Sequence, residues 1–300
     1  MNEKVRLGYA CVNMTLTNRP KKLGGRVTTS RTARKATWQH GSDNPVDWDL
    51  HLLGERTLLN ANDLLHYLQW NNDHKIKLFR LGSELFPWHD QYELHQLPQF
   101  NEIAKKLLEC GNYARENGIR ITTHPGPFNV LGSPNPEVVR RTLISLERHS
   151  ETFDIMGFEP SFENKINIHV GGSYGGDFDG TSKRWIENWH KLSHKEIGIP
   201  ITFDYHHHTF HPDELSEEAA LKLAATTWPD NIRQCTHYSE SRAREFQDPK
   251  IRAQAHSDYI RDEINTYGLE LDIVIEAKAK ELALLEYRNI YAYNNKKVLI

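Results

Sequence analysis

No segment of this chain approaches the roughly 18 consecutive apolar residues that a membrane helix needs. Met1 to Ala10 carries no apolar signal core either. The expectation is a reducing compartment, cytoplasmic or nucleoid-associated, with no membrane contact. Cysteine is also scarce: Cys11, Cys110 and Cys235 form an odd, widely spaced set without a CxxC, which argues against a disulfide framework. The serines do not sit at the ends of the β-rich runs, so serine-nucleophile chemistry has no support. Acidic residues are missing from one long stretch. From Lys4 to Ser42 there is no aspartate or glutamate, while nine lysines and arginines end in Arg31, Arg34 and Lys35, with hydroxyls at Thr28, Thr29, Ser30, Thr32 and Thr37 interleaved. Phosphate oxygens accept from both kinds of group, so Arg31, Arg34 and Lys35 are candidate DNA contacts. The competing reading is a solvated basic loop without a polyanion partner.

What is present suits one large core. The chain has 300 residues, 38 % hydrophobic and 26 % charged, with a formal net charge of −3 and a mean hydropathy of −0.67. An α/β barrel fills such a length as a single domain, so residues 1–300 are read as one. Seven β-rich runs alternate with helical stretches: VRLGYAC (5–11), IKLFRLG (76–82), IRITTH (119–124), INIHVGG (166–172), IPITFD (199–204), IRQCTH (232–237) and LDIVIE (271–276). Asn135-Pro136 and Ser216 have the chemistry of helix starts, and KRWIENWHKL (183–192) has helical apolar spacing. Repeated strand–helix units imply a parallel sheet. A barrel is favoured over an open sheet because no glycine-rich dinucleotide turn follows the first run.

The strand ends carry the chemistry. His124 ends the third run, His169 is late in the fourth, Asp204 ends the fifth, His237 the sixth and Glu276 the seventh. In a parallel barrel these ends converge on one mouth, where active sites are built. Each histidine alone is more often structural, but packing would place Val, Ile or Leu at such ends. Mixed nitrogen and oxygen donors suit Zn(II), Mn(II) or Fe(II). The segment DYHHHTFHP (204–212) adds four more histidines. If the strand runs on, His206 and His208 share a face with Asp204; if it turns after Tyr205, His207 is better placed.

Motifs along nearly the whole chain resemble those of the UV damage endonuclease family: RLGYACVNMTL (6–16), LFRLGSELFPW (78–88), THPG (123–126) followed by SP (133–134), INIHVGGSYGGD (166–177), IPITFDYHHH (199–208), THYSE (236–240), AHSDYI (255–260) and EAKAKELALLEYR (276–288). The resemblance implies a TIM barrel with a cluster of divalent metals, manganese first and zinc as the alternative. It implies nicking of double-stranded DNA immediately 5′ of UV photoproducts by a monomer. Carried over by motif, the metal ligands are His124, His169, Asp204, His207, His237, His256 and Glu276, and Tyr9 and Asn13 contact DNA. Read without the resemblance, those two are a core tyrosine and a turn asparagine. Bound metals would activate water for in-line attack on phosphorus, so no side chain need act as nucleophile.

Three departures stand out. Where the family has Gln-Tyr after THPG, a pair that probes the duplex opposite the lesion, this chain has Pro127-Phe128. Proline lacks the amide donor, though Phe128 could still wedge between bases. Where the family has a lysine, often carboxylated, two residues before the histidine of THYSE, this chain has Cys235, either a thiolate ligand or a small buried residue. The βα unit with a Glu-Asn-Asp-Asp motif between the HVGG and FDYHHH strands is absent, since IENWHKLS (186–193) runs straight into HKEIGIP (194–200). Seven strands are therefore expected where a closed barrel has eight, with the bridging glutamate lost. Two rivals remain: a non-catalytic DNA-binding relative, and a metal-dependent sugar isomerase or epimerase, which would have no use for the acid-free arm.

Overall fold

Alternation along a strand sorts its side chains onto two faces. In the computed structural model, which describes residues 5–169, 174, 176, 177, 179–184, 199–212 and 214–296, six of the seven runs form one all-parallel sheet. Its strands are β1 (Val5–Ala10), β2 (Leu78–Leu81), β3 (Arg120–Thr123), β4 (Phe203–Asp204), β5 (Gln234–Tyr238) and β6 (Leu271–Ile275), ordered β3-β2-β1-β6-β5-β4. Leu7, Tyr9, Phe79, Ile121, Ile273 and Ile275 face outward into the main core, shared with Leu53, Leu64 and Leu68 of helix Leu50–Asp73 and with Ile103 and Leu107 of helix Phe100–Glu116. Ala10, Leu78, Cys235 and Val274 face inward and form a second, smaller cluster with Trp228. A β-carbon on Gly8 would lie 2.4 Å from the Leu78 carbonyl oxygen, so glycine is what lets β1 and β2 approach.

Helix starts follow their capping chemistry. Asn135 Oδ1 accepts from the Glu137 amide with Pro136 at the first position of helix Pro136–Ile155, and Ser216 Oγ accepts from the Ala219 amide at helix Glu217–Ala225. Each such cap stabilises its helix by about 1 kcal/mol. Among the described residues, no helix is long and apolar enough to cross a membrane.

The strand count differs from expectation. The run at 166–172 contributes isolated parallel bridges, Thr123 with Ile166 and Val130 with His169, and no ladder among the described residues. The fifth run is extended over Phe203–Asp204 only. Upstream of it, the Ile201 amide donates to Thr227 Oγ1 at 2.8 Å and the Ile201 carbonyl accepts from Trp228 Nε1 at 2.8 Å. Side chains of a loop have thus taken the groups a neighbouring strand would use. The segment in which the missing βα unit was read, 185–198, lies outside the described residues, as does most of the helix expected at 183–192.

Candidate metal centre at the strand ends

Three donors from three neighbouring strands converge. Asp204 ends β4, His237 lies in β5 and Glu276 directly follows β6, held there by its amide donating to the Tyr238 carbonyl at 2.9 Å. One ligand atom from each lies within 4.8 Å of the other two. Nδ1 of His237 is 3.3 Å from Glu276 Oε1 and 3.8 Å from Asp204 Oδ2. His256, opposite Ser241 in an antiparallel bridge, brings its Nδ1 to 3.7 Å from Glu276 Oε2. On the other side the ring of His124 lies 4.6 Å from His169 and 6.0 Å from His237, centroid to centroid.

The DYHHH segment takes the second of the two courses open to it. Asp204 caps a short helix, Tyr205–Phe210, its Oδ1 accepting from the His207 amide at 3.0 Å. The helical turn carries His207 to 6.4 Å from His169, ring to ring. His206 turns away to the Gln254 carbonyl at 3.0 Å, His208 faces the Phe203 ring, and His211 lies past the helix end.

Electrostatics give these groups the protonation states a cation needs. Burial opposes ionisation of Glu276, but Arg80, His237 and His256 outweigh it and hold the carboxyl well below its ordinary range. Burial likewise opposes ionisation of Asp204, and contact with His237 overrides it. Burial lowers His237 and His169. It also lowers His124, with Arg80 and His237 adding to the effect, to about 3. Neutral imidazoles beside ionised carboxylates form a mixed nitrogen–oxygen donor set that fits Mn(II), Zn(II) or Fe(II); the residues present fit a divalent metal.

Three residues that sequence reasoning missed complete the surroundings. Arg80, on the inner face of β2, pairs with Glu276 Oε1 and lies 3.4 Å from His237 Nε2. Asn167 Nδ2 donates to His237 Nε2 at 2.8 Å, while its Oδ1 accepts from Lys165, whose Nζ also donates to Thr202 Oγ1 at 2.6 Å. Burial lowers the Lys165 ammonium to about 8. The signal was legible for Arg80: a charge within the apolar run LFRL, on the same face as Leu78.

The DNA-contact residues fare unevenly. Tyr9 and Asn13, expected to contact DNA, are wholly buried in this structure. The Tyr9 hydroxyl donates to Asn71 Oδ1 at 2.8 Å and accepts from Asn13 Nδ2 at 3.0 Å, while Asn13 Oδ1 caps the helix Met14–Thr17. Both are spent on packing the first loop against helix Leu50–Asp73. Arg31 is turned inward, paired with Asp63 at 2.6 Å, whereas Arg34 and Lys35 are exposed. Pro127 and Phe128 stand out from the loop after His124, Phe128 with 88 % of its surface exposed, above a groove of about 710 Å³ lined by Asp90, Arg141 and Tyr174. Cys235 is fully buried against Ala10, Leu78 and Val274, as a small core residue is.

Known proteins share this sequence pattern and fold. The profile of the family described as UV-endonuclease UvdE matches residues 5–197 and 194–299. A UV-damage endonuclease of Neurospora crassa is 30 % identical over 94 % of this chain and 50 % of its own length. That of Schizosaccharomyces pombe is 30 % identical over 97 % of this chain and 51 % of its own. The chain thus spans about half the length of these two relatives. A crystal structure described as that of SacUVDE superposes with a TM-score of 0.74 at 27 % identity, covering 97 % of this chain and 99 % of that one.

Proposed function

The chain belongs to the UV-endonuclease UvdE family, and on that premise we propose that it is a metal-dependent DNA-repair endonuclease nicking the phosphodiester 5′ of UV photoproducts. The observation that carries the reading is the convergence of Asp204, His237 and Glu276 at adjacent strand ends, their ligand atoms within 4.8 Å. Asp204, His237, Glu276 and His256 would hold one part of a metal cluster, His124, His169 and His207 another. Bound divalent ions, manganese in the first instance, supply Lewis acidity that activates water and neutralises charge on a phosphate.

The protein's own groups do the rest. Glu276 and Asp204 are held below the ordinary carboxyl range and His124, His169 and His237 below the ordinary imidazole range, which favours the deprotonated forms that ligate a cation. Asn167 orients the His237 ring. Exposed Arg34 and Lys35 would take duplex phosphates, and Phe128 would wedge beside a base step already weakened by damage.

Catalysis by this chain is expected to be weak at low metal concentration, because the Glu-Asn-Asp-Asp unit that bridges metals in the family is missing from the sequence. In support, the family profile matches in two pieces that overlap at 194–197, beside the point where the unit is read as missing. The test is an oligonucleotide duplex with a single cyclobutane dimer, incubated with Mn(II) or with EDTA. Metal-dependent cleavage immediately 5′ of the dimer supports the proposal. Equal DNA binding in both conditions, with no cleavage at any Mn(II) concentration, would identify a non-catalytic relative instead.

A further inference from the structure

Arg80 occupies the ground of the proposed metal. Strand β2 carries it on the inner face, and its side chain, 11 % exposed, reaches the carboxylate of Glu276. The oxygen it pairs with, Oε1, is the same atom that lies 3.3 Å from His237 Nδ1. The pairing nitrogen, Nη1, is itself 3.4 Å from His237 Nε2. Arg80 thus touches two of the three donors in the converging trio. The guanidinium also hydrogen-bonds the Cys11 side chain, while Nε is buried without a hydrogen-bond partner. A buried arginine ordinarily uses its planar fork for parallel bonds to one carboxylate, so a donor left idle beside an ionised glutamate marks a position settled by charge more than by hydrogen bonding.

A guanidinium and a divalent ion on one carboxylate oxygen repel each other strongly away from bulk water. We propose that Arg80 is a built-in counter-ion that competes with the metal for Glu276: it neutralises the carboxylate until a divalent cation takes it, and loading the metal breaks the Arg80–Glu276 pair. The inference rests on the metal reading above. It explains how a carboxylate in so enclosed a position stays compensated while the protein folds, before any metal arrives. It also sets a threshold, because metal affinity is reduced by the strength of the pair that must be given up.

The test compares the full chain with Arg80→Gln and Arg80→Lys, titrating Mn(II) against a chelating dye and melting each protein in EDTA and in Mn(II). Arg80→Gln should bind Mn(II) about tenfold more tightly and melt at a lower temperature in EDTA, so that metal raises its melting temperature more than it raises the wild type's. Arg80→Lys keeps the charge and should stay close to wild type. Unchanged or weaker Mn(II) affinity in Arg80→Gln overturns the proposal. Should that variant not fold, the guanidinium signals of Arg80 in wild-type protein decide the matter during titration with diamagnetic Zn(II): loss of the ion-paired shift in step with zinc bound supports competition, and a retained shift overturns it. Wild-type protein that binds neither Mn(II) nor Zn(II) would defeat the metal reading itself, an outcome distinct from failure of the Arg80 inference.

Discussion

Arg120 and Asp272 meet at 2.8 Å on the inner face of the sheet, and neither side chain is exposed. Asp272 also accepts from Arg6 Nε at 2.6 Å and lies 3.5 Å from Arg233 Nη1, so one carboxylate holds three guanidiniums beneath the candidate metal centre. Arg6 and Arg233 have second carboxylates in Glu163 and Glu270, but removing the Asp272 charge leaves the wholly buried Arg120 with Glu163 at 3.7 Å as its remaining acidic contact. Asp272→Asn should therefore cost about 3–5 kcal/mol, read as a fall in the urea midpoint at constant slope. A loss below about 1 kcal/mol, the range of an exposed pair, would show that the cluster is better solvated than its burial implies.

Metal affinity should depend on Asn167 as well as on the donors themselves. Asn167→Ala removes the donor that fixes the His237 ring, and loss of such a supporting contact typically weakens binding about 10–100-fold. His207→Ala should lower metal stoichiometry, whereas His211→Ala should be near neutral, since the helix Tyr205–Phe210 ends before it. Metal content after dialysis against limiting Mn(II) checks all three. Equal damage from His207→Ala and His211→Ala would mean that the ligand is misassigned.

A separate pair of histidines predicts acid sensitivity. His89 and His149 pack ring to ring at 5.0 Å, and His149 donates from Nδ1 to the Ser145 carbonyl at 2.7 Å while its Nε2 has no partner. Burial, with His89 adding, pushes His149 down to about 3. The unfolded chain then binds a proton that the folded one refuses. His149's contribution is complete above its ordinary value near 6.5 and is lost as pH falls from there toward 3, by roughly 2 kcal/mol at pH 5. Urea unfolding in EDTA at pH 7 and pH 5 should show this loss in wild type and a smaller one in His149→Leu; an equal pH dependence in both would assign it to other groups.

In the basic arm, exposure separates two roles. Arg34→Gln with Lys35→Gln should weaken binding to damaged and undamaged duplex alike and make the salt slope shallower by about 2. Arg31→Gln should act mainly on stability, because its charge is already spent on Asp63. A slope left unchanged by the double variant would remove the arm from the DNA interface.

Much of this could be read without coordinates, for a simple reason: alternation and strand-end placement are local properties. The β-rich runs, the capping residues Asn135 and Ser216, and the placement of Asp204, His237 and Glu276 at strand ends follow from residue order alone, and so does the family, from its motifs. Partnership required the fold. Nothing local shows that Tyr9 and Asn13 are buried against Asn71, that Arg31 turns to Asp63, or that the chain bends after Asp204 and so presents His207 while hiding His206. Arg80 meets Glu276 from 196 positions away. The residues that could hold a metal were written in order along the chain; which cation shares their carboxylate, and which side chains hold them in place, was decided only when distant strands came side by side.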